Sequence, residues 1–150
     1  SIEVVNFAGR LCLSYHKGVK LAPNTSAVLF QLERDTLLAE ASARNAMVVV
    51  RLQDGYEILD EKNVYFEYYK DLDLSDPRLS IEAIEEKGEK FILVSTGRLA
   101  CNVMFYLPGV PAFFSDNYCD ILPGREYKIK VDTDLSPAEI EKRIKIRYVH

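Results

Sequence analysis

The sequence predicts an all-β protein, an immunoglobulin-like antiparallel β-sandwich with one or two short helices. Apolar and polar residues alternate with period two in segment after segment, the signature of half-buried strands. Glycine dipeptides punctuate those segments at Asp54-Gly55, Lys87-Gly88, Thr96-Gly97, Pro108-Gly109 and Pro123-Gly124. The run Leu122-Pro123-Gly124-Arg125-Glu126-Tyr127 then leads straight into the alternating strand Tyr127-Lys128-Ile129-Lys130-Val131. Pro123 presets φ and Gly124 allows a tight corner. A tyrosine entering an inward row three residues later is arranged as a tyrosine corner. Its ring joins the core and its hydroxyl ties back to an upstream backbone group. Pro123, Gly124 and Tyr127 are therefore the expected fold-critical residues.

Strands are expected at Ile2–Asn6, Leu11–Lys17, Ala27–Glu33, Ala46–Gln53 and Asn63–Tyr69. A second set follows at Leu79–Glu85, Phe91–Thr96, Leu99–Tyr106, Tyr118–Ile121, Glu126–Asp132 and Ile144–Val149. The clearest inward rows are Tyr127, Ile129, Val131 and Ile144, Ile146, Tyr148, with Lys or Arg between them. Helix is scarce. Ser136-Pro137-Ala138-Glu139 reads as a capping box with proline at the first helical position. Asp35–Arg44 reads as one or two turns with Asp35 as N-cap. The acidic, proline-containing stretch from Lys70 to Pro77 separates the two strand sets. About five strands before it are too few for a sandwich of roughly seven. Residues 1–73 are thus expected to be the latter strands of one immunoglobulin-like sandwich, and residues 74–150 a second, C-terminal one. A single larger sandwich is the alternative.

A chain of 150 residues, 48% hydrophobic, can bury one sizeable core or two small ones. Its net charge of −4, with basic residues scattered, argues against nucleic acid as a partner. No apolar run reaches the length of a membrane span, and no signal segment opens the chain. The strand-like start at Ser1-Ile2-Glu3-Val4-Val5 is what a segment cut from something longer would show. Cys12, Cys101 and Cys119 are odd in number and lack C-x-x-C spacing, which argues against a metal site or a disulfide framework. A hairpin of Leu99–Leu107 with Phe113–Ile121 would set Cys101 opposite Cys119, as two small buried hydrophobes or, less simply, as a cross-strand disulfide.

Catalytic chemistry is not visible. The acidic neighbours Glu85-Glu86, Asp60-Glu61 and Asp132/Asp134 lie near turns and face opposite ways on strands, so they read as solvated edges rather than a catalytic carboxylate pair. Asp71, Asp73, Ser75 and Glu82 follow calcium-loop spacing, but Asp76 stands where glycine is needed and Pro77 follows. His16 and His150 suggest no nucleophile–base pair. There is no tryptophan. Tyr65, Tyr69 and Tyr106 are expected to face away from the row holding Phe66, Tyr68 and Phe105, leaving aromatic surface for a protein interface or a glycan. Asn24-Thr25-Ser26 is an N-glycosylation sequon in a turn.

Three segments in order resemble the C-terminal accessory region of β-mannosidase-type enzymes of glycoside hydrolase family 2. Asn63-Val64-Tyr65-Phe66-Glu67-Tyr68-Tyr69-Lys70-Asp71-Leu72-Asp73-Leu74, followed by Pro77, resembles the passage between their last two domains. Ser95-Thr96-Gly97-Arg98-Leu99-Ala100-Cys101-Asn102-Val103 resembles a strand pair ending in leucine-alanine-x-x-valine. Ser115-Asp116-Asn117-Tyr118-Cys119-Asp120-Ile121-Leu122-Pro123-Gly124 resembles their serine-aspartate-asparagine-tyrosine-phenylalanine-aspartate-leucine-leucine-proline-glycine segment, with Cys119 for phenylalanine and Ile121 for leucine. Val19 to Ser26, followed by an apolar strand, fits the preceding accessory domain more loosely.

The resemblance implies a large retaining exo-enzyme that removes terminal β-mannosyl residues with two glutamates on a (β/α)₈ barrel. That barrel alone needs about 250 residues, so no catalytic residue carries over to this chain. It implies a scaffold without cofactor, whose partners are the barrel and neighbouring domains, in an extracytoplasmic setting. Asp116, Asn117 and Tyr118 would either brace their own turn or wall the sugar pocket of the adjoining barrel. The runner-up function is a carbohydrate-binding or cell-surface adhesion module.

Overall fold

The computed structural model describes residues 1–20 and 22–150. Leu21, part of the Val19–Ser26 resemblance, lies outside the described residues. The chain divides into two compact units, Ser1–Asp73 and Leu74–His150. The strands are antiparallel and the helices short, as the sequence predicts for an all-β sandwich class.

In the first unit one four-stranded sheet has the order β2-β1-β3-β4. It is built from β1 (Ile2–Asn6), β2 (Leu11–Tyr15), β3 (Ala46–Asp54) and β4 (Glu57–Tyr65). The valine-rich start of β3 explains its central place. Ala46, Met47, Val48 and Val49 are all buried, so both faces of the sheet are covered there. Val4, Ala46 and Val48 form a small core against Leu13, Leu37, Ala41 and Phe66. Across β1, β3 and β4 the Arg51 side chain, only 10% exposed, reaches Glu3 and Glu61, each at 2.5 Å.

The second unit has two sheets, β5-β6-β10-β8 and β11-β7-β9. Their strands are β5 (Ser80–Glu86), β6 (Glu89–Ser95), β7 (Ala100–Tyr106), β8 (Phe113–Phe114), β9 (Cys119–Ile121), β10 (Glu126–Asp132) and β11 (Lys145–Val149). Seven strands in a four-plus-three arrangement are those of an immunoglobulin-like sandwich. Ile92 and Val94 of β6 and Ile129 and Val131 of β10 meet Val103 and Phe105 of β7 and Ile121 of β9 in one core. Phe105 and Phe114 bring rings from the two sheets to a centroid distance of 6.1 Å. The β5–β6 hairpin turns at Lys87 and Gly88, with φ of 52° and 81°. Both values are left-handed, as a two-residue hairpin with right-handed strand twist requires.

Helices occupy little of the chain. α1 (Arg34–Leu37) has four residues, and α2 (Pro137–Arg143) has seven. Ser136 opens α2, its N–H donating to Glu139 Oε2 at 2.9 Å. Buried Ile140 anchors the helix in the core. Glu141 Oε1 accepts the Ala83 N–H at 2.8 Å, which satisfies a donor on edge strand β5.

Several expectations need correction. Ala27–Glu33 forms no strand, because no backbone among the described residues offers it a ladder. Strand β4 begins at Glu57 and stops at Tyr65, whereas alternation pointed to Asn63–Tyr69; a short 3-10 turn, Tyr69–Asp71, takes over instead. The α1 N-cap is Glu33 rather than Asp35. Tyr68, expected in an inward row, is 78% exposed once the strand ends before it.

The expected hairpin of Leu99–Leu107 with Phe113–Ile121 is not formed as one piece. β8 joins β10 in one sheet, whereas β9 joins β7 in the other. A register shift between Ala100 and Val103 sets Cys119 opposite Val103 instead of Cys101. None of the three cysteines is in a disulfide bond.

Candidate functional site

The Pro123-Gly124 corner connects β9 to β10. Gly124 has φ 74°, a left-handed value that glycine adopts without strain. Its N–H donates to the Thr96 carbonyl at 3.3 Å. The Tyr127 ring packs on the core, and its hydroxyl oxygen accepts the Leu122 N–H at 3.1 Å. Tyr127 therefore ties the end of β9 to the start of β10 across the turn. Thr96, buried on the same side of the corner, donates its hydroxyl to the Pro77 carbonyl at 2.5 Å.

The preceding loop, Ser115 to Asp120, carries the chain from one sheet to the other, and side chains replace the missing ladder. Ser115 N–H donates to the Lys130 carbonyl at 2.9 Å, and its hydroxyl accepts the Lys130 N–H at 3.0 Å. That continues the β8–β10 pairing past its last backbone pair. Asn117 then does the same on the opposite sheet. Its Oδ1 accepts the Phe105 N–H at 2.7 Å while its Nδ2 donates to the Phe105 carbonyl at 3.0 Å. A primary amide presents the same donor–acceptor pair as a peptide group, so Asn117 acts as one residue of a strand. Asp120 Oδ1 accepts the Asn102 N–H at 2.9 Å, inside the irregular stretch of β7 where φ of Asn102 is 51°. Ser115, Asn117 and Asp120 thus satisfy backbone groups that a bulged crossing would otherwise leave without partners.

The expected turn bracing by Asp116 and Asn117 is corrected in its partners. Asn117 bonds mainly across to Phe105, and Asp120 rather than Asp116 holds a β7 amide. Asp116 is exposed. Tyr118 stands at φ 57° and is 62% exposed. Its N–H donates to Asn117 Oδ1 at 3.2 Å, which helps hold that left-handed backbone. Burial, reinforced by the charge of Asp116, pushes the Cys119 thiol up to about 11, so it is not a reactive thiolate at neutral pH.

The acidic pairs are distributed rather than convergent. Glu61, expected as a solvated edge, is instead paired with Arg51. Burial alone would pull the Arg51 guanidinium down, but its hydrogen bonds to Glu3 and Glu61 outweigh this and raise it above its ordinary value. Glu86 pairs with Lys128 at 2.5 Å on the surface, and Lys130 pairs with Glu89 beside it. Ser14 Oγ lies 2.8 Å from His16 Nε2, both exposed two residues apart, which is a local surface contact rather than a nucleophile–base pair. Asn24 is exposed at φ 57°, in a turn where Thr25 donates to the Ala22 carbonyl at 2.7 Å. No group of three His, Cys, Asp or Glu side chains among the described residues could hold a metal ion. No helix among them is long and apolar enough to cross a membrane.

Period-two reasoning could point to Ser115–Asp120 as distinctive, but not to the surrogate-strand role of Asn117. The available signal was the density of short polar side chains, Ser, Asp and Asn, between two apolar segments.

The polar atoms of this loop thus serve the backbone of its own two sheets. Residues 1–71 match the family described as the mannosidase Ig/CBM-like domain. Residues 74–150 match the Ig-fold domain of the mannosidase family. Through residues 74–150, half of its length, the chain belongs to this family of mannosidase Ig-fold domains. Among solved structures, it is similar to the β-D-mannosidase of Dictyoglomus thermophilum, with a TM-score of 0.73 and 21% identity over 98% of this chain. At that identity the likeness shows the fold, and the chain spans 18% of the length of that enzyme's chain. No curated protein matches.

Proposed function

We propose that this chain is the C-terminal accessory region of a larger glycosidase, a retaining exo-enzyme acting on terminal β-mannosides. Its task is to support the catalytic barrel and neighbouring domains of the same parent polypeptide. The observation that supports this reading best is the coverage of the chain by two mannosidase Ig-type family matches. The internal use of Ser115, Asn117 and Asp120 agrees with a scaffold, since these polar groups are already engaged.

The direct test is hydrolysis of an aryl β-D-mannoside by the native polypeptide, captured with an antibody raised against this chain. Turnover with retained anomeric configuration by that polypeptide, and none by the 150-residue chain, is expected. An inert native polypeptide would remove the glycosidase parent. Turnover by the isolated chain would remove the scaffold role.

A second reading, a carbohydrate-binding or adhesion module, draws on Phe113 and Tyr118, residues that are 70% and 62% exposed. Titration with manno-oligosaccharides separates the two. Flat curves favour the scaffold, and saturable binding lost in Tyr118→Ala favours the module. An extracytoplasmic setting is part of the proposal, and its marker is a glycan on Asn24. Endoglycosidase treatment should then lower the mass of the native polypeptide, and Asn24→Gln should abolish that shift.

A further inference from the structure

Arg34, Arg44 and Arg51 each hold a carboxylate. Arg78 and Arg98, both in the second unit, hold none among the described residues. These two line one hollow of about 470 Å³, together with Ser75, Asp76, Pro77 and Gly97. One wall is the segment that leads into β5, and the other is the turn between β6 and β7. Buried Thr96 pins the walls together. Its hydroxyl donates to the Pro77 carbonyl at 2.5 Å and accepts the Arg98 N–H at 3.2 Å. Arg98 Nη1 reaches from one wall to the other and donates to Ser75 Oγ at 3.1 Å. That bond fixes the guanidinium and leaves its remaining N–H groups, with the Ser75 hydroxyl hydrogen, available to a ligand.

Arg78 stands at φ 51°, a left-handed value that long side chains adopt rarely. Asp76 Oδ1 holds it there by accepting the Arg78 N–H at 3.1 Å. Strain kept at a residue whose guanidinium bonds nothing among the described residues points to a use outside the chain. Asp76 is the one acid on the lining, and the Tyr148 hydroxyl lies 3.5 Å from the same Oδ1. Two guanidiniums against one engaged carboxylate leave the hollow positive, on a chain of net charge −4.

We propose that this hollow binds a tetrahedral oxyanion, a phosphate or sulfate group, held between Arg78 and Arg98 with the Ser75 hydroxyl as a third donor. Donors on two walls match the three or four acceptor oxygens of such a group better than the two of a carboxylate. The site needs only residues of the second unit, so it stands whether or not the parent polypeptide is a glycosidase.

Amide NMR of the 150-residue chain tests it, with inorganic phosphate replacing chloride at constant ionic strength so that screening does not change. The amides of Arg78, Gly97 and Arg98 should shift along a saturable curve. Arg98→Gln keeps a donor for Ser75 but removes the charge, and should weaken binding at least about tenfold. Arg78→Gly should weaken it by as much. Because glycine adopts the left-handed backbone freely, this variant should melt no lower than the parent chain. Shifts without a plateau, or equal affinity in the parent chain and both variants, would overturn the proposal. So would a lowered melting temperature in Arg78→Gly, since the arginine would then be holding the fold. Acetate binding more tightly than phosphate would also overturn it, because a partner's carboxylate would be the better fit. Glycerol phosphate separates the two sources of the group. Tighter binding than inorganic phosphate marks an ester-borne group and equal or weaker binding the free ion, and either supports the site.

Discussion

The two units use similar strands to different ends. In Leu74–His150 two sheets close on one core, and twelve buried residues form a single cluster. In Ser1–Asp73 one sheet carries a core cluster of three buried residues and a charged clasp, Glu3–Arg51–Glu61. Of thirteen large hydrophobic residues exposed among the described residues, eleven belong to the first unit. Burial of apolar area is the main source of stability, and among the described residues more of it falls in the second unit than in the first, where Val4, Phe7, Ala46, Met47, Val48, Val49 and Leu72 are buried. Strand propensity alone does not make a domain; closing a second layer over the apolar face does.

The largest effect that would sharpen this contrast is Phe105→Ala. It removes a ring buried at the meeting of the two sheets, and a loss of about 3–5 kcal/mol is expected. Hydrogen exchange resolved by segment should show β5 to β11 opening while β1 to β4 keep their rates. Equal acceleration in both units would mean that they unfold as one and that the contrast is false.

Asn117→Ala should cost about 1–3 kcal/mol, because both backbone groups of Phe105 lose a buried partner. Exchange at the Phe105 amide should rise first. Unchanged protection there would show that the asparagine is not a member of the ladder.

In the first unit Arg51→Ala should cost about 1–3 kcal/mol by taking the guanidinium away from two half-buried carboxylates. Here β1 and β4 should loosen while the second unit is unaffected, as segment-resolved exchange would report. Tyr127→Phe deletes the acceptor of the Leu122 N–H, and a loss of about 1 kcal/mol is expected. An unaltered denaturation midpoint would remove the tyrosine corner from the account.

The last effect is a titration. Cys119 is raised from its ordinary 9.0 to about 11, chiefly by burial. Folding thus favours the neutral thiol. Its contribution is full below the unfolded value of 9.0 and is lost as pH rises through about 11. Cys119→Ser, which has no comparable thiol to ionise, should show a shallower fall in stability across that window than the parent chain.

Much of the sandwich was legible because its strands obey period two. Ile129 and Val131 point inward while Lys128 and Lys130 point out, and β10 runs over the residues that alternation assigns to it. The corner was legible too, since Pro123, Gly124 and Tyr127 impose a local geometry that needs no distant partner. What was hidden depends on partners far away in sequence. Ala27–Glu33 has a strand's pattern without a ladder, and pattern cannot supply the neighbour. The start of β4 was missed because Glu57, Asp60, Glu61 and Lys62 dilute its alternation; Glu61 is charged yet held by Arg51. The split of Phe113–Ile121 between two sheets was also invisible. A bulge and three side-chain substitutes for backbone set its course, and neither leaves a periodic trace.

The accessory-region account is tested most directly by the size of the native polypeptide, read on an immunoblot of source extract with an antibody against this chain. A band several times heavier than 17.1 kDa is predicted, with the additional mass carrying a glycosidase barrel. A native product of 17.1 kDa would contradict the account and leave a self-sufficient binding sandwich in its place.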